Sequence, residues 1–389
     1  MTERLYYDDS YLKEFEATVT LTRPDGWIAL DRSAFYPTSG GQPYDTGVLA
    51  WEGGEVQVTD VEAQEGTVWH RVSAPLAQGL RVKGSIHWPR RFDHMQQHAA
   101  DHMLAGAAWQ LHGAVTIGLH LGHENSTIDL TFPDGRTHLT LEEILALETL
   151  VNERVQQDDP IRCWFPAPEE LAVLPLRKPP TVREHVRVVA MGDYEMVACG
   201  GTHPRSTGQI GPIKILSASP ARGKMRLCFV AGMRSIRLFQ QTAACAFQVS
   251  AALSSDLEGA ADALTRERES LASIRKEMGR RLVLSSAALA AARKEGDLYA
   301  CHLPFADGET TLKAALEIVK DPTATALLSC PRKEGVQLVF ARGAQVQADM
   351  AALMRRCGGR GGGKPDLAQG SAPGEEALAE AKRLLLGGI

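Results

Sequence analysis

Several features are missing from this sequence, and each absence narrows the class of protein. No run of 18 apolar residues occurs, so we expect no membrane-spanning helix. The first nine residues lack a basic stretch followed by an apolar one, which argues against a secretory leader. The seven cysteines are odd in number and irregularly spaced, which indicates reduced thiols in a cytoplasmic protein. Neither an internal repeat nor an Asp-His-His sequence is present.

Net charge gives little sign of a nucleic-acid partner, because the chain carries a formal charge of -5. The charge is unevenly distributed, however, since residues 176–237 contain eleven lysines and arginines against three acidic residues. A basic segment in an otherwise acidic protein is typical of a surface that binds a polyanion. It is equally typical of a solvated face without a partner, and charge alone leaves both readings open.

Composition and periodicity along the chain predict an α+β protein in four parts. Residues 1–88 consist of short alternating stretches broken by Gly, Pro and Asp, which predicts a small β-barrel. Residues 89–240 mix helical and strand patterns and predict a compact α+β domain. Residues 241–297, without proline and rich in Ala, Leu and charge, predict a helical linker arm. Residues 298–389 return to strand and helix alternation, which predicts a C-terminal α/β domain.

Two helices are predicted in the central part. Met95, Ala99, Met103 and Ala107 share one face of a helix over residues 90–112. A second helix, over residues 140–157, opens with Thr-Leu-Glu-Glu, the pattern of a capping box. In the arm, apolar residues recur every seven positions, which favours a coiled coil or helical hairpin; they are Leu257, Leu264, Leu271 and Met278.

Histidine and cysteine spacing predicts a metal site in the central part. His98 and His102 lie four residues apart on the first helix and therefore face the same side. His94 stands one turn earlier, so spacing alone leaves a competing His94/His98 pair open. Cys199 and His203 flank a Gly-Gly-Thr turn that allows both side chains to face one point. Three imidazole nitrogens and one thiolate form a tetrahedral set that suits zinc.

The pairing of His-x-x-x-His with Cys-Gly-Gly-Thr-His resembles the editing domain of alanyl-tRNA synthetase and its free-standing relatives, the AlaX-type alanyl-tRNA editing proteins. Three further stretches, 33–47, 119–130 and 358–371, are similar to the family's N-terminal glycine-rich motif, its central segment and the glycine-rich motif of the C-terminal DHH-associated domain. The motifs occur in the family's order over nearly the whole chain. The C-terminal extension resembles the long form, and with the editing signature starting near residue 30 we expect a free-standing protein.

The resemblance implies a zinc site and a pocket for the amino acid. One zinc ion per chain would be held by His98, His102, Cys199 and His203. Ser33 and Gln42 would bind the substrate, Ser33 at the position implied in sensing a serine side chain. The family usually has Thr at that position, Pro where this chain has Ala198, and commonly Glu where it has Gln209. No proposed metal ligand is affected, but the Ser33 change bears on amino-acid selection.

The resemblance implies hydrolysis of the ester between a wrong amino acid and tRNA(Ala), chiefly serine, with glycine left open. The catalytic residues stay unassigned, since four protein ligands leave zinc no vacant position. Basic side chains are expected to contact the RNA backbone; they are Arg205, Lys214, Arg222, Lys224, Arg226, Arg360 and Lys364. A homodimer through the arm or the C-terminal domain is also expected. Two alternatives remain: a threonyl-type editing domain, and a non-catalytic tRNA-binding module with structural zinc.

Overall fold

The computed structural model describes residues 1–180, 182 and 184–387 of the chain. These residues form two compact units, Met1–Cys245 and Ala246–Ile389, and the boundary falls inside one helix. The described secondary structure is a mixture of helices and strands, which agrees with the predicted α+β class. The finer division into four domains stays a prediction.

Eight strands precede the first long helix; they are β1 Glu3–Arg4, β2 Glu14–Thr22, β3 Trp27–Leu30, β4 Arg32–Ser33, β5 Gly47–Trp51, β6 Gly54–Gln64, β7 Thr67–Val72 and β8 Arg81–Ile86. Six of them close a barrel in the order β2-β3-β7-β6-β5-β8. Alternate side chains of β2 and β8 point inward and are buried, which is the two-residue period of a strand with one face on a core. Strands β1 and β4 form a separate parallel pair.

Helix α1, Trp88–His112, follows the barrel directly and is the predicted helix over residues 90–112. Pro89 in its first turn suits a helix start, and Gly113 ends it in the left-handed conformation at φ 63°. The four apolar residues that define its predicted face are fully buried. Arg91, also fully buried, pairs with the equally buried Asp45 of the loop before β5 and ties α1 to the barrel.

The rest of the first unit continues with β9 Val115–Leu121, β10 Ser126–Thr131, α2 Leu141–Gln156, β11 Ile161–Trp164, α3 Pro168–Leu171, β12 Val188–Met191, β13 Glu195–Ala198, β14 Ile213–Ala221, β15 Lys224–Ala231 and α4 Met233–Ala252. Helices α1 and α2 share one apolar core with the four-stranded sheet β14-β15-β10-β9. Strands β11, β12 and β13 form a smaller antiparallel sheet. The predicted capping box is present at the start of α2, with Thr140 and Glu143 bonded reciprocally.

The second unit contains α5 Ala260–Ala291, β16 Leu298–His302, α6 Gly308–Ile318, β17 Thr325–Pro331, β18 Val336–Arg342, α7 Met350–Arg356, β19 Arg360–Gly363, β20 Leu367–Ala372 and α8 Glu376–Leu386. Its five strands form one sheet in the order β16-β17-β18-β20-β19, with an apolar cluster on each side. The glycine-rich run contributes the edge strand β19, because glycine without a side chain allows the backbones of β19 and β20 to pair closely.

None of the helices that the structure describes is long and apolar enough to span a membrane.

Candidate metal centre

Helix α1 brings the two predicted histidines together. His98 and His102 lie one turn apart, with ring centroids 5.1 Å from each other, and both are buried. The helix passes between the barrel and the loop that follows β13, so this segment of α1 is enclosed on all sides. The i, i+4 spacing therefore places both imidazoles on one side of the helix, as predicted from the sequence.

The loop after β13 brings Cys199 and His203 to the same point. Gly201 packs so closely on His98 that a Cβ atom there would lie 2.1 Å from the Cε1 atom of the imidazole. A glycine is therefore required by close approach at this position. Arg187, which the sequence did not single out, donates to the carbonyls of Cys199 and Gly201 at 3.1 and 2.8 Å and fixes the loop.

The four residues together form a set of donors that could hold a metal ion. Their ligand atoms all lie within 4.8 Å of one another, and the Cys199 Sγ atom is 3.4 Å from the Nε2 atoms of His98 and His203. Zinc bonds of about 2.0–2.3 Å to nitrogen and sulfur place tetrahedral ligand atoms at similar separations. The identity of the metal as zinc stays a proposal.

Burial sets the protonation states of the cluster. It lowers the pKa of His98 to about 3 and holds the pKa values of His102 and His203 well below the usual range. Neutral imidazoles are the form that binds a metal. Burial raises the pKa of the Cys199 thiol to about 11, so the thiolate requires a neighbouring cation. The Nδ1 atoms of His102 and His203 have no hydrogen-bond partner among the described residues.

Gln42 reaches the cluster from the barrel loop. Its Oε1 atom lies 2.9 Å from His98 Nδ1 and accepts the backbone N–H of Thr202, while its Nε2 atom donates to the Thr202 hydroxyl. With Nδ1 donating to Gln42, the Nε2 lone pair of His98 faces the cluster. Gln42 is fully buried and is not part of the cavity wall, so the observed contacts are those of a residue that orients a ligand.

A cavity of about 300 Å³ adjoins the cluster and reaches His98, His102 and Cys199. Asp101 and Lys178 also line it, and sequence reasoning missed both. Burial raises the pKa of Asp101 to about 7 against the opposing effect of Arg177, and its Oδ1 atom has no partner among the described residues. Asp101 lies three residues after His98 on α1. The helical spacing that places His98 and His102 on one face therefore places this carboxyl group near the same face.

Ser33 and His94, two other positions considered from the sequence, are not part of the cluster. Ser33 is buried in the barrel, where its Oγ atom is 2.7 Å from His70 Nε2 and accepts the N–H of Phe35. It is not among the described residues that line the cavity, and its substrate role stays a prediction. His94 is buried too, but it is not part of the metal-ligand group among the described residues.

The predicted RNA-contacting side chains fall into two sets. Lys214 pairs with Glu148, while Lys224 and Arg226 share Asp129, and hydrogen bonds from Arg226 lower the pKa of that carboxyl group to about 2. Arg205 lies 3.7 Å from Asp9 and stacks over the Tyr11 ring. The remaining three are exposed and have no ion pair with a described residue; they are Arg222, Arg360 and Lys364.

Two family models match segments of the chain that contribute residues to the site. Residues 7–90 match the family model "tRNA synthetases class II (A)", and residues 186–227 match "Threonyl and Alanyl tRNA synthetase second additional domain". The second match contains Cys199 and His203, and the first contains Gln42. The segment that contributes Cys199 and His203 to the cluster thus matches the second additional domain of threonyl and alanyl tRNA synthetases.

Relatives of known sequence narrow the class further. The chain is 32% identical to alanine–tRNA ligase from Pyrococcus abyssi over 99% of its own length and 44% of the ligase, and 38% identical to the enzyme from Korarchaeum cryptofilum over 61% and 27%. The chain therefore spans less than half the length of these curated relatives. It is an alanyl-tRNA synthetase-related protein of the AlaX-like kind, as the motifs predicted.

Among solved structures, the C-Ala domain from Aquifex aeolicus alanyl-tRNA synthetase is 20% identical and covers 23% of this chain and 86% of its own. The TM-score of 0.21 is too low to support an argument about the fold.

Proposed function

We propose that this protein hydrolyses the aminoacyl ester of mischarged tRNA(Ala), chiefly Ser-tRNA(Ala), and acts on tRNA that another enzyme has charged. The observation that carries this proposal is the His98–His102–Cys199–His203 cluster beside a cavity, with Cys199 and His203 in the segment that matches the second additional domain. Gly-tRNA(Ala) is a second candidate substrate. A cytoplasmic setting is part of the proposal, because all seven cysteines are free.

One zinc ion held by the four residues would, when bound, supply a positive charge that polarises an ester carbonyl or orients a polar group of the substrate. The chain itself supplies the walls of the cavity. Lys178 lines it without an ion pair to a described residue, so its ammonium is free to attract the phosphate next to the terminal ribose. Arg177, in contrast, is committed to the buried Glu195 by two hydrogen bonds of 2.9 Å.

Selection of serine over alanine requires a group that bonds the extra hydroxyl, since a pocket that merely accommodates it discriminates poorly. The resemblance assigns this task to Ser33 and Gln42. Both side chains are fully buried and bonded to protein partners. In our proposal Gln42 acts by fixing His98 and the backbone of Thr202, and contact between Ser33 and the serine hydroxyl stays the prediction that the resemblance makes.

The tRNA backbone would contact the predicted basic side chains. In the first unit they are Arg205, Lys214, Arg222, Lys224 and Arg226, and in the second unit Arg360 begins the edge strand β19 and Lys364 follows it. Lys214 and Arg226 neutralise carboxylates, so a phosphate there would compete with Glu148 or Asp129. We further propose a homodimer through the arm, where four apolar side chains are about half exposed or more; they are Leu257, Leu264, Leu271 and Met278.

The test is hydrolysis of Ser-tRNA(Ala), with Ala-tRNA(Ala) as the substrate control, by the wild type, Cys199→Ala and Cys228→Ala. Cys228 is a partly buried cysteine on β15 outside the cluster and therefore serves as the matched control. We expect release of serine only, loss of activity in Cys199→Ala, and wild-type activity in Cys228→Ala. Serine that stays attached in the presence of zinc-loaded wild type would contradict the proposal.

Two features favour other functions. Four protein ligands are typical of a closed structural zinc site, which would suit a non-catalytic tRNA-binding module. The matched family model names threonyl as well as alanyl enzymes. Zinc and tRNA binding without turnover would establish the first alternative. Faster release of serine from tRNA(Thr) than from tRNA(Ala) would establish the second.

A further inference from the structure

A second cavity lies on the same helix as the metal cluster, and the proposed function leaves it without a role. It is a groove of about 760 Å³ along the first two turns of α1. The groove is also bordered by the barrel loop at Pro43, the turn at His123 after β9, and the start of α4 at Met233. All of these residues lie within the first unit.

The side chains of the groove suit a single-stranded nucleic acid. Its charged residues are three arginines, Arg90, Arg234 and Arg237, against the single acid Asp93. Arg234 is bonded to Asp93 at 2.6 and 2.9 Å, which satisfies that carboxylate within the protein. Arg237 is exposed and has no ion pair with a described residue, so its charge is available to a phosphate.

Aromatic rings stand beside these charges. Trp88 and Phe92 both line the groove and are partly exposed, with ring centroids 5.5 Å apart and planes inclined by 31°. The ammonium of Lys13 lies 4.6 Å from the Trp88 ring and adds a further positive charge at this edge. Cations that follow a groove together with rings on which bases stack are the features of surfaces that bind single strands.

A buried polar group in the wall also lacks a partner. His94 is 5% exposed, and its Nδ1 atom has no hydrogen bond within the described chain. A ribose hydroxyl or a base edge in the groove would satisfy this nitrogen, whereas an apolar occupant would leave it unpaired.

The groove and the cavity of about 300 Å³ beside the metal cluster, here called the metal cavity, lie one after the other along α1. His94 lines the groove, and His98, one turn further, lines the cavity. The barrel loop borders the cavity at Gly40 and the groove at Pro43, and between these positions the carbonyl of Gly41 accepts the N–H of Leu121 on β9. From Phe92 to His98 the helix rises about 9 Å, the length of two or three stacked nucleotides at about 3.4 Å each.

We infer that this groove binds the unpaired nucleotides that precede the 3′-terminal residue of the tRNA substrate, with bases stacked at Trp88 and Phe92 and a phosphate at Arg237. The inference rests on the proposed function for the identity of the RNA, because the terminal ester would then enter the neighbouring metal cavity. The groove would bind the single-stranded part of the RNA and not the double-helical stem.

The experiment measures binding of uncharged RNA, so that it does not depend on hydrolysis. The probes are a fluorescent RNA hairpin with a four-nucleotide 3′ overhang and the same hairpin with a blunt end. The full chain is titrated into each fluorescent RNA, and the fluorescence anisotropy gives the dissociation constant at several salt concentrations. The variants are Arg237→Ala, Trp88→Leu and Trp88→Phe, and the matched control is Arg71→Ala, an exposed arginine on the barrel strand β7.

We expect the overhang to increase affinity about tenfold over the blunt hairpin, and Arg237→Ala and Trp88→Leu each to remove most of that increase. Trp88→Phe retains a ring and should retain the binding, and Arg237→Ala should lower the salt slope by about 0.7. Equal affinity for both hairpins, or Arg237→Ala behaving like Arg71→Ala, would overturn the inference. Ester hydrolysis assayed in parallel reports on the proposed function separately, since either result can fail alone.

Discussion

Helix α1 carries two buried polar clusters less than three turns apart, and they differ in how completely the protein satisfies them. At Arg91 the guanidinium donates to both carboxylate oxygens of Asp45 and to the carbonyls of Ser10 and Ala34, and Asp45 also accepts the N–H of Tyr36. At the metal cluster, Nδ1 atoms of His102 and His203 have no partner among the described residues, and a thiol lies among neutral imidazoles.

The difference separates a cluster whose charges are paired within the protein from one whose donors could hold a metal ion. The side chains of both clusters are buried, apart from the partly buried Cys199, so each buried polar atom needs a partner from the protein or from something bound to it. Arg91 and Asp45 obtain theirs from the chain, and their charges cancel. The four donors of the metal cluster have their ligand atoms within 4.8 Å of one another, an arrangement that could hold a metal ion.

The largest effect is expected when a ligand is removed from the second cluster. Cys199→Ala deletes the only soft donor of the set, so metal affinity should fall by more than the roughly 10–100-fold typical of outer-shell changes. Zinc retained after dialysis against a chelator, measured by mass spectrometry, should drop from one ion per chain to a small fraction. Full zinc retention by the variant would show that the thiol is not a ligand.

Breaking the first cluster should affect stability and leave metal binding intact. Arg91→Met leaves the Asp45 carboxylate buried without its partner, which should lower the free energy of unfolding by about 3–5 kcal/mol. Urea denaturation measures this loss, and Arg90→Met, one residue earlier and partly exposed, is the control. A loss no greater than that of the control would argue that the pair contributes little to folding.

Gln42→Ala tests the link between the barrel and the metal cluster. Without the amide, His98 loses the bond at Nδ1 that fixes its orientation, and metal affinity should fall roughly 10–100-fold. Competition with a chromophoric chelator gives the affinity, and Gln57→Ala on the outer surface of β6 should match the wild type. Unchanged affinity together with altered serine release would instead favour direct contact with the substrate.

The smallest effect is expected inside the barrel. Ser33→Ala removes the hydroxyl that bonds His70 and Phe35, which should lower the free energy of unfolding by about 1–2 kcal/mol and leave zinc binding unchanged. Thermal unfolding measures the change, and Ser33→Thr, which keeps a hydroxyl, should retain most of the stability. A variant that unfolds like the wild type but loses discrimination between serine and alanine would place Ser33 in contact with substrate.

The sequence predicted the parts of the site that depend on local spacing. Two histidines four residues apart on a helix necessarily share a face, and Gly200 and Gly201 allow a tight turn between Cys199 and His203. Spacing did not choose between the His94/His98 and His98/His102 pairs. The position of the Cys199 loop in three dimensions selects the second pair.

Contacts between distant segments explain what sequence reasoning missed. Gln42 and Thr202 are 160 residues apart, and nothing in either segment alone indicates that they bond. Arg187 was counted within a basic segment, although it is buried. It holds the Cys199 loop by donating to the backbone carbonyls of Cys199 and Gly201. The glycine-rich run was noted for its resemblance to the family motif, and its pairing with β20 as a strand is a contact that the motif alone does not indicate.

The dependence of His98 on Gln42 has a consequence for how such proteins evolve. The barrel region supplies Asp45 as the partner of the buried Arg91 and Gln42 as the support of His98. It therefore cannot be replaced independently of α1, as a domain without such contacts could be. Replacing the barrel by an unrelated fold would remove two complementary contacts in one event. Residues 1–88 and the helix that follows are therefore expected to be inherited as one block, while changes accumulate on the outer face of the barrel.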